Sequence, residues 1–247
     1  MVRIPLLAVL ALACPIAAQD GPLLPNFRVE LSLGGGSAEH HTDGSNLDGD
    51  TDATFFQFQF EGFSASGLGG GIRIERWQSD DDLFEDVGVA DAESTTSSLF
   101  GHVSFLVADR KFRMPIRLGL LLHGHELSDT TTDDDVTFTS GGPQFELAPE
   151  IFLTDARDVK WSLYSEIGLA VTATTVEVDG DSNEYDSSSW MYGFELGTRV
   201  YFRNFELGLA YASRGQTMDE SDPEDDTVIF GYDASFDGLL FTIGAVF

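Results

Sequence analysis

The stretch LLFTIGAVF, residues 239–247, stands last in the chain and decides its fold class. One set of alternating positions along it is apolar throughout and consists of Leu239, Phe241, Ile243, Ala245 and Phe247. A period of two residues predicts a β-strand whose two faces meet different surroundings. Chain ends usually fray unless they are held in place, so this apolar strand predicts a C-terminus that is paired within a sheet.

This strand resembles the last strand of bacterial outer-membrane β-barrel proteins, which commonly ends on Phe and is read by the assembly machinery as a sorting signal. Phe247 provides the terminal aromatic residue, whereas Thr242 and Ala245 stand where the family usually has Gly and a bulky apolar residue. The resemblance implies an all-β fold, namely an antiparallel transmembrane β-barrel with the general architecture of small barrels of the OmpA/OmpX type. It also implies a location in the bacterial outer membrane.

The N-terminal segment has the composition of a secretory signal peptide. It combines Arg3, an apolar run over residues 4–13 and small residues near its end, and it is too short to span a membrane as a helix. We therefore expect a cleaved signal peptide over residues 1–18, followed by a single outer-membrane barrel domain over residues 19–247. The one cysteine, Cys14, lies in the signal peptide, so the mature chain is expected to fold without a disulfide.

The chain is strongly acidic, with a formal net charge of −29 from 13 basic and 42 acidic residues. Phosphate contacts require a basic surface, so this balance excludes nucleic acid as a natural partner. The mean hydropathy is −0.05, and no stretch after the signal peptide is apolar over the length of a membrane-spanning helix. Mean hydropathy does not reveal barrel strands, because their apolar residues alternate with polar ones.

Alternation of apolar and polar residues recurs along the chain and predicts ten strands, with eight as the alternative. The expected strands cover residues 27–35, 55–63, 68–77, 97–108, 116–127, part of 136–154, 161–174, 190–202, 205–213 and the last stretch, which follows an expected break near Gly238. In the sixth strand Pro143 and Pro149 cannot donate ladder hydrogen bonds, so they predict a bulge or a local break. An even number of antiparallel strands can close into a barrel without an exposed edge, which a bilayer requires.

A soluble sandwich or a lipocalin-like barrel would also show alternation, but its apolar face would point inward. The membrane barrel is favoured by the signal peptide, by the regular exchange of short turns and long loops, and by Phe247. It is also favoured by aromatic residues near the expected strand ends, which would form an interfacial belt. These residues are Trp77, Trp161, Trp190, Tyr201 and Phe202.

Charge is divided between the two ends of the expected barrel. The long loops hold 26 of the 42 acidic residues and no Lys or Arg, and they lie near residues 41–52, 80–93, 128–135, 177–187 and 219–226. The opposite rim carries the basic residues Arg110, Lys111, Arg113, Arg157, Lys160 and Arg203. In the orientation that the family shares, the acidic loops are extracellular and the basic turns are periplasmic.

If the apolar faces meet lipid, the polar faces must line the lumen, and their charges are of mixed sign. The expected lumen residues are Arg28, Glu30, Glu61, Arg73, Glu75, Arg117, Glu146, Glu150, Glu166, Glu195, Arg199 and Glu206, together with His102, His123 and His125. Charges at membrane depth usually pair, so we expect an ion-paired plug that fills a narrow barrel. A lumen left open would instead make the chain a narrow pore for small solutes.

Two histidine pairs leave an enzymatic alternative open. His123 and His125 lie two residues apart on one face, a spacing that could serve metal binding or acid–base chemistry. His102 and Ser104 resemble the H-x-S pair of outer-membrane lipid A deacylases, although the next acidic residue on the following strand, Glu126, has the opposite parity. The omptin proteases also have ten strands, but the D-x-H element of their site does not occur in this sequence.

Clustered carboxylates near residue 50 invite a calcium interpretation, because hard cations favour oxygen ligands. Asp48, Asp50 and Asp52 match the opening of an EF-hand loop. The Gly and the closing Glu that such a loop requires are replaced by Ala53 and Gln59, so an EF-hand is rejected. Loose binding of divalent cations by the acidic loops is the remaining expectation, and neither a resident metal nor a cofactor is predicted.

The sequence as a whole predicts an integral outer-membrane barrel with acidic extracellular loops, a plugged lumen and no catalytic activity. Its role would be structural or in surface interaction. The alternatives are a narrow pore and a barrel enzyme that hydrolyses lipid or peptide. Membrane lipid, including outer-leaflet lipopolysaccharide, is the expected partner, with divalent cations at the loops.

Overall fold

The computed structural model describes residues 27–42, 49–80, 92–129, 134–154, 159–179, 184–219 and 231–247. The expected signal peptide and the central parts of the expected acidic loops lie outside these residues. Within the described part of the chain every regular element is a β-strand, and each strand runs antiparallel to its neighbours. There is also no helix, in that part, with the length and apolarity needed to cross a membrane.

Eleven strands follow one another along the chain. They are β1 (Phe27–Thr42), β2 (Gly49–Phe63), β3 (Leu68–Ser79), β4 (Ala92–Ala108), β5 (Phe112–Asp129), β6 (Asp134–Leu147), β7 (Glu150–Phe152), β8 (Val159–Val178), β9 (Glu184–Phe202), β10 (Phe205–Met218) and β11 (Tyr232–Val246). Neighbouring strands in sequence pair with each other, except that β6 and β7 both lie between β5 and β8, and β11 pairs with β1. The sheet therefore closes on itself as a barrel.

The short strand β7 continues β6, since both pair with β5 on one side and with β8 on the other. The wall thus has ten strands, as predicted. A local break separates the two pieces at Pro149, and the pairing register is the same before and after it. A bulge would have shifted that register by one residue. The proline therefore interrupts the ladder of hydrogen bonds without changing which residues face each other.

The C-terminus is held as the terminal alternation predicted. Phe27 and Phe247 exchange two backbone hydrogen bonds, of 3.1 and 2.9 Å, and residues 28–42 pair with residues 232–246 without interruption. The expected break near Gly238 is therefore wrong, because β11 is continuous through that residue. A Cβ on Gly238 would lie 2.6 Å from the ring of Phe236, so the glycine lets that ring lie along the inner wall.

Following the register once around the barrel gives the stagger of its strands. A path that starts at Arg28 and moves to the paired residue of each neighbouring strand returns to β1 at His40, twelve residues further along. Ten strands with this stagger tilt by about 40° to the barrel axis, which is typical of closed barrels. The interior of such a barrel is narrow enough for side chains to fill.

Apolar side chains cover one band of the outer wall, which we call the apolar belt. Its upper edge is formed by Leu33, Phe56, Ile74, Leu99, Leu122, Val171, Trp190, Tyr211 and Leu239, and its lower edge by Phe27, Leu68, Val107, Ile151, Val159, Phe202 and Phe205. Leu120, inside the band, has 68% of its surface exposed. The apolar faces point outward and the polar faces inward, as predicted for a membrane barrel rather than a soluble one.

Above the belt the strands continue for several residues, and the pattern reverses. Phe55 points inward and is 3% exposed, whereas its neighbour Phe56 points outward and is 37% exposed. Beyond this point the outward residues of β2, Asp50 and Asp52, are polar. The described residues of the expected loop at 41–52, namely 41–42 and 49–52, are thus strand, and their outer face is polar as expected for a wall that extends into water.

Three expected positions on the barrel surface are wrong. Trp77 and Tyr201 lie inside the barrel and are buried, while Trp161, Trp190 and Phe202 face outward. Arg113 belongs to β5 and not to the basic turn, and its side chain is also buried in the lumen. Trp77 has the inward parity of Arg73, and Tyr201 has that of Arg199, whereas Arg113 lies in a strand that begins earlier than expected.

Candidate functional site: the filled lumen

Two groups of side chains fill the described lumen, one above the other. At the height of the apolar belt lies the charged network, which comprises Arg28, Glu30, Glu61, Arg73, Glu75, Arg113, Arg117, Glu146, Glu150, Glu166, Glu195, Arg199, Glu206 and Arg214. Above the belt lies the aromatic cap, which comprises His40, Phe55, Trp77, His125, Phe138, Tyr232 and Phe236. The two groups differ in chemistry and therefore in what they can do.

At the lower end of the charged network, two arginines share two carboxylates. Arg28 contacts Glu206 at 2.6 Å and Glu30 at 2.7 Å. Arg199 approaches the same two carboxylates, Glu206 at 2.8 Å and Glu30 at 3.3 Å, and its guanidinium lies 3.3 Å from the centre of the Tyr164 ring. Each charge is thus compensated from more than one side, which buried ions require.

A second cluster at this end is built around Glu150, which β7 supplies after the break at Pro149. Arg113 donates from Nε to Glu150 at 2.6 Å, and the hydroxyl of Tyr201 donates to the same carboxylate at 2.7 Å. The hydroxyl of Ser162 also donates to it. The inward Tyr201 is therefore a partner of the network and not a member of an interfacial belt.

The centre of the network is formed by Arg117, whose side chain is almost fully buried. It makes a bidentate contact with Glu61, with Nε and Nη2 at 2.8 and 2.9 Å from the two carboxylate oxygens. Arg117 also donates to Glu166 at 2.9 Å and to Glu146. Arg73 donates to the same two carboxylates, with 2.9 Å to Glu146, so two arginines and three glutamates form one connected unit.

The upper end of the network meets a small cavity. Glu75 lies between two arginines, with Nε of Arg73 at 3.1 Å and Nη2 of Arg214 at 3.4 Å. Arg214 also contacts Glu195 at 3.2 Å, and the hydroxyl of Tyr164 donates to that carboxylate. A cavity of about 60 Å³ borders these groups and His123, and it has room for only a few water molecules.

The structure brings all the expected lumen residues to the interior and adds two arginines that the sequence analysis missed. Arg113 was assigned to the basic rim, and Arg214 lies beyond the expected end of its strand at residue 213. With them the network has six arginines and eight glutamates. The parity of their strands was the signal that could have found both, because Arg113 shares it with Arg117, and Arg214 shares it with Glu206.

The aromatic cap closes the lumen above the cavity. His40, His125 and Tyr232 meet at its centre, and the rings of Trp77, Phe138 and Phe236 surround them. The Tyr232 hydroxyl lies 2.8 Å from Nε2 of His125 and is also hydrogen-bonded to Nδ1 of His40. Sequence analysis placed His125 in the lumen but missed His40, since it ended the first strand at residue 35.

The members of the two candidate histidine pairs contact other side chains in the structure. His102 and Ser104 are both buried against Glu61, whose carboxylate lies 3.2 Å from Nε2 of His102 and accepts a 2.8 Å hydrogen bond from the Ser104 hydroxyl. His123 lies 3.0 Å from the side-chain oxygen of Gln216, while His125 belongs to the aromatic cap. The Ser104 proton is therefore directed to a carboxylate and not to an imidazole.

The expected cation ligands near residue 50 are spread along the outer face of β2. Asp50 and Asp52 are exposed and lie above the apolar belt, and Asp48 lies outside the described residues. Among the side chains that the structure describes, no group of three His, Cys, Asp or Glu residues could hold a metal ion. The described lumen residues likewise form ion pairs with one another instead of an open ligand set.

Comparison with solved structures finds bacterial outer-membrane proteins. The outer-membrane protease OmpT from Escherichia coli superposes with a TM-score of 0.52 at 9% identity, over 90% of this chain and 97% of that chain. The β domain of the Bordetella autotransporter BrkA gives 0.40 at 12% identity, over 89% and 98% of the two chains. Neisserial surface protein A gives 0.34 at 11% identity, over 90% and 97%.

No protein-family model matches the chain, and no curated protein is significantly similar to it. At 9% identity the likeness to OmpT concerns the fold alone. Together with the closed wall of ten strands and its outward apolar belt, it shows that the chain has the fold of bacterial outer-membrane β-barrel proteins. The resemblance of the terminal strand is confirmed to that extent.

Proposed function

We propose that this chain is an integral protein of the bacterial outer membrane, exported by a signal peptide over residues 1–18, whose lumen does not conduct. Its role is structural or in surface interaction, without catalysis. The apolar belt supports the location, because outward side chains such as Leu120 and Val171 would otherwise be exposed to water. Lipid, including outer-leaflet lipopolysaccharide, covers this belt.

The acidic end of the barrel faces the outside of the cell and the basic end faces the periplasm. In support, the two longest connections between strands, residues 80–91 and 219–231, fall at the acidic end, and the shortest, residues 203–204, falls at the basic end, as in outer-membrane barrels. The acidic loops repel nucleic acid and attract divalent cations loosely. A surface partner would meet these loops first.

One observation carries the closed lumen: charged and aromatic side chains fill the described interior in two successive layers. Glu206, Glu61 and Glu146 of the network are almost fully buried, and so are His125 and Phe236 of the cap. Ten strands leave little free cross-section once such long side chains occupy it. The cavity between the layers, of about 60 Å³, has room for only a few water molecules.

Conductance in a planar bilayer tests the closed lumen. We expect no steady single-channel steps from the wild-type barrel, because both layers block the path. Arg199→Ala and Arg73→Ala should lower stability and introduce a leak, since each removes a side chain that holds two or more carboxylates. The matched control is Lys111→Ala at the exposed lower rim, which should neither leak nor unfold.

Steady conductance of the wild type at neutral pH would contradict the closed lumen and establish the pore instead. Catalysis is tested separately with lipid A and peptide substrates. We expect no turnover, and therefore no difference between the wild type and His102→Ala or His123→Ala. Hydrolysis that either substitution abolishes would establish the enzyme.

A further inference from the structure

We propose that the aromatic cap is an acid-sensitive closure of the outer mouth of the lumen, with His40, His125 and Tyr232 as its switch. This inference builds on the proposed closed lumen and adds a condition under which its outer layer opens. It concerns only the part of the barrel above the apolar belt. The charged network below belongs to the membrane-spanning part and has no role in the switch.

The geometry of the switch is a chain of hydrogen bonds. Nδ1 of His125 lies 2.8 Å from the hydroxyl of Thr96, and Nε2 lies 2.8 Å from the hydroxyl of Tyr232. The Tyr232 hydroxyl continues to Nδ1 of His40. The two imidazole rings are stacked with their centres 5.5 Å apart, so a positive charge on one ring disfavours protonation of the other.

This chain is complete only when the imidazoles are neutral. Nε2–H of His125 then donates to the Tyr232 oxygen, the Tyr232 hydroxyl donates to His40, and the Thr96 hydroxyl donates to Nδ1 of His125. If both rings carry a second proton, every ring nitrogen is a donor. The hydroxyls of Tyr232 and Thr96 then have no imidazole nitrogen left to donate to, and two cations stand side by side in an apolar enclosure.

The groups that face the two histidines offer little compensation for positive charge. The described inward side chains around the two histidines include Ala38, Thr51, Ala53, Phe55, Trp77, Ser79, Ser94, Thr96, Leu127, Val136, Phe138, Val176, Tyr185, Met218, Tyr232, Ala234 and Phe236. His123 lies below on β5, where the charge of Glu75 acts on it. Glu39, His41, Glu126 and Asp233 have the outward parity of their strands, although Glu39 and Asp233 border a pocket with His40 and one carboxylate oxygen of Asp233 is buried near Tyr232. No carboxylate therefore points inward at the height of the cap among the side chains that the structure describes.

The pKa values agree with this geometry. Burial lowers the pKa of His40 to about 3, and burial holds the pKa of His125 well below its usual range, with His40 and His123 acting in the same direction. An opened cap would return both rings to water and to a pKa of about 6.5. Each pH unit below that value then favours the open form about tenfold per histidine, or about a hundredfold for the two together.

Trp77 provides a built-in reporter, because its ring lies 5.9 Å from that of His40 and 6.0 Å from that of His125. The other two tryptophans, Trp161 and Trp190, face outward, and each is 47% exposed. A Trp161→Phe/Trp190→Phe barrel refolded in detergent micelles therefore reports on the cap alone. The measurement is quenching of Trp77 by acrylamide between pH 7.5 and pH 4.5.

We expect weak quenching at pH 7.5 and a reversible rise of severalfold below about pH 6, while the heat-sensitive gel mobility of the folded barrel persists. His40→Gln/His125→Gln should flatten this pH dependence, because Gln can hydrogen-bond but does not titrate. His41→Gln is the matched control, since His41 is adjacent in sequence but points outward, and it should leave the transition unchanged.

A second variant keeps the test decisive if the double glutamine variant does not fold. Tyr232→Phe removes the shared hydroxyl and keeps both histidines, so the transition should move to higher pH with the same steepness. Quenching that does not change with pH, a rise that persists in the double glutamine variant, or a Tyr232→Phe transition that is not shifted upward would overturn the proposal. These outcomes differ from wild-type conductance at neutral pH, which would refute the closed lumen itself.

Discussion

The lower and upper parts of the barrel are built on opposite rules, although the same strands run through both. At the height of the apolar belt, lipid-facing residues are apolar and the charged network lies inside. Above the belt, the outward residues are polar and the aromatic cap lies inside. Inward and outward side chains alternate without interruption along each strand, as Phe55 and Phe56 demonstrate. The apolar side chains, however, occupy the outward positions beside lipid and the inward positions where the wall meets water.

This difference teaches that one barrel can contain two kinds of core. The charged network is held by ion pairs that are shielded from water, so removing one partner leaves its counter-ions uncompensated. The aromatic cap is held by burial of apolar rings, as in the core of a soluble protein. Substitutions in the two regions should therefore fail by different mechanisms and respond to different conditions.

The largest effect is expected for Arg117→Ala, at the centre of the charged network. The substitution leaves Glu61, Glu146 and Glu166 without the guanidinium that they share, and it should lower the free energy of unfolding by about 4 kcal/mol. Urea titration monitored by gel mobility measures the change. Lys111→Ala serves as the exposed control and should change it by less than about 0.5 kcal/mol. Equal effects of the two substitutions would remove the distinction between the network and the rim.

A somewhat smaller loss is expected for Phe236→Ala in the aromatic cap. Phe236 has no exposed surface and stacks on Phe55 and Trp77, so truncation leaves a cavity that costs about 3 kcal/mol. Ser235→Ala, one residue away on the outer face, should be nearly neutral. Near-ultraviolet circular dichroism would follow the aromatic packing, and an unchanged signal in Phe236→Ala would argue against a packed cap.

The pH dependence of stability should be located in the cap. The pKa of His40 is lowered to about 3 by burial, so the unfolded chain binds a proton that the folded chain does not. Stability is then fully present above about pH 6.5 and falls by up to about 1.4 kcal/mol per pH unit below that value for as long as the cap stays closed. Urea titrations at pH 7.5 and 5.5 should give a smaller difference for His40→Gln than for the wild type. A difference that His40→Gln leaves intact would assign it to other groups.

The smallest effect is expected from divalent cations. Millimolar Ca²⁺ should raise the thermal midpoint by about 2 °C, because the 26 acidic residues of the expected loops repel one another and contain no basic residue among them. KCl at the same ionic strength is the control and should raise it less. An identical rise with both salts would show that general ionic strength acts, without binding at the loops.

The sequence was sufficient to predict the barrel and most of its lumen residues. Apolar and polar residues alternate most strictly where lipid lies on one side of a strand and ion pairs lie on the other. Glu61, Arg73 and Arg199 could be placed inside by parity alone, and the antiparallel order follows from short turns. The terminal strand indicated the family of folds. These inferences required no knowledge of contacts, only of which face of each strand was apolar.

The aromatic cap could not be predicted in the same way, because at its border the apolar residues move from the outward to the inward positions of the strands. Along β11 the reversal falls at Gly238, and the sequence analysis interpreted it as a break in the strand. Trp77 was assigned to an interfacial belt for the same reason, and His40 was left outside the first strand, which was expected to end at residue 35. Continuing the parity of Arg28 along β1 does lead to His40, but nothing in the local pattern indicates that the strand continues.

The extension of the strands above the belt has a consequence for how the acidic end meets a membrane surface. Six or seven residues at the rise of a tilted strand lift the strand tips about 15 Å above the belt. That height exceeds the Debye length of about 8 Å at physiological ionic strength. Phosphates lie about 5 Å above the hydrocarbon, so the carboxylates at the tips, such as Glu177 and Asp186, are about 10 Å from them and are partly screened from the bilayer on which the barrel stands. They can present negative charge to the surroundings with reduced repulsion between the barrel and its own membrane.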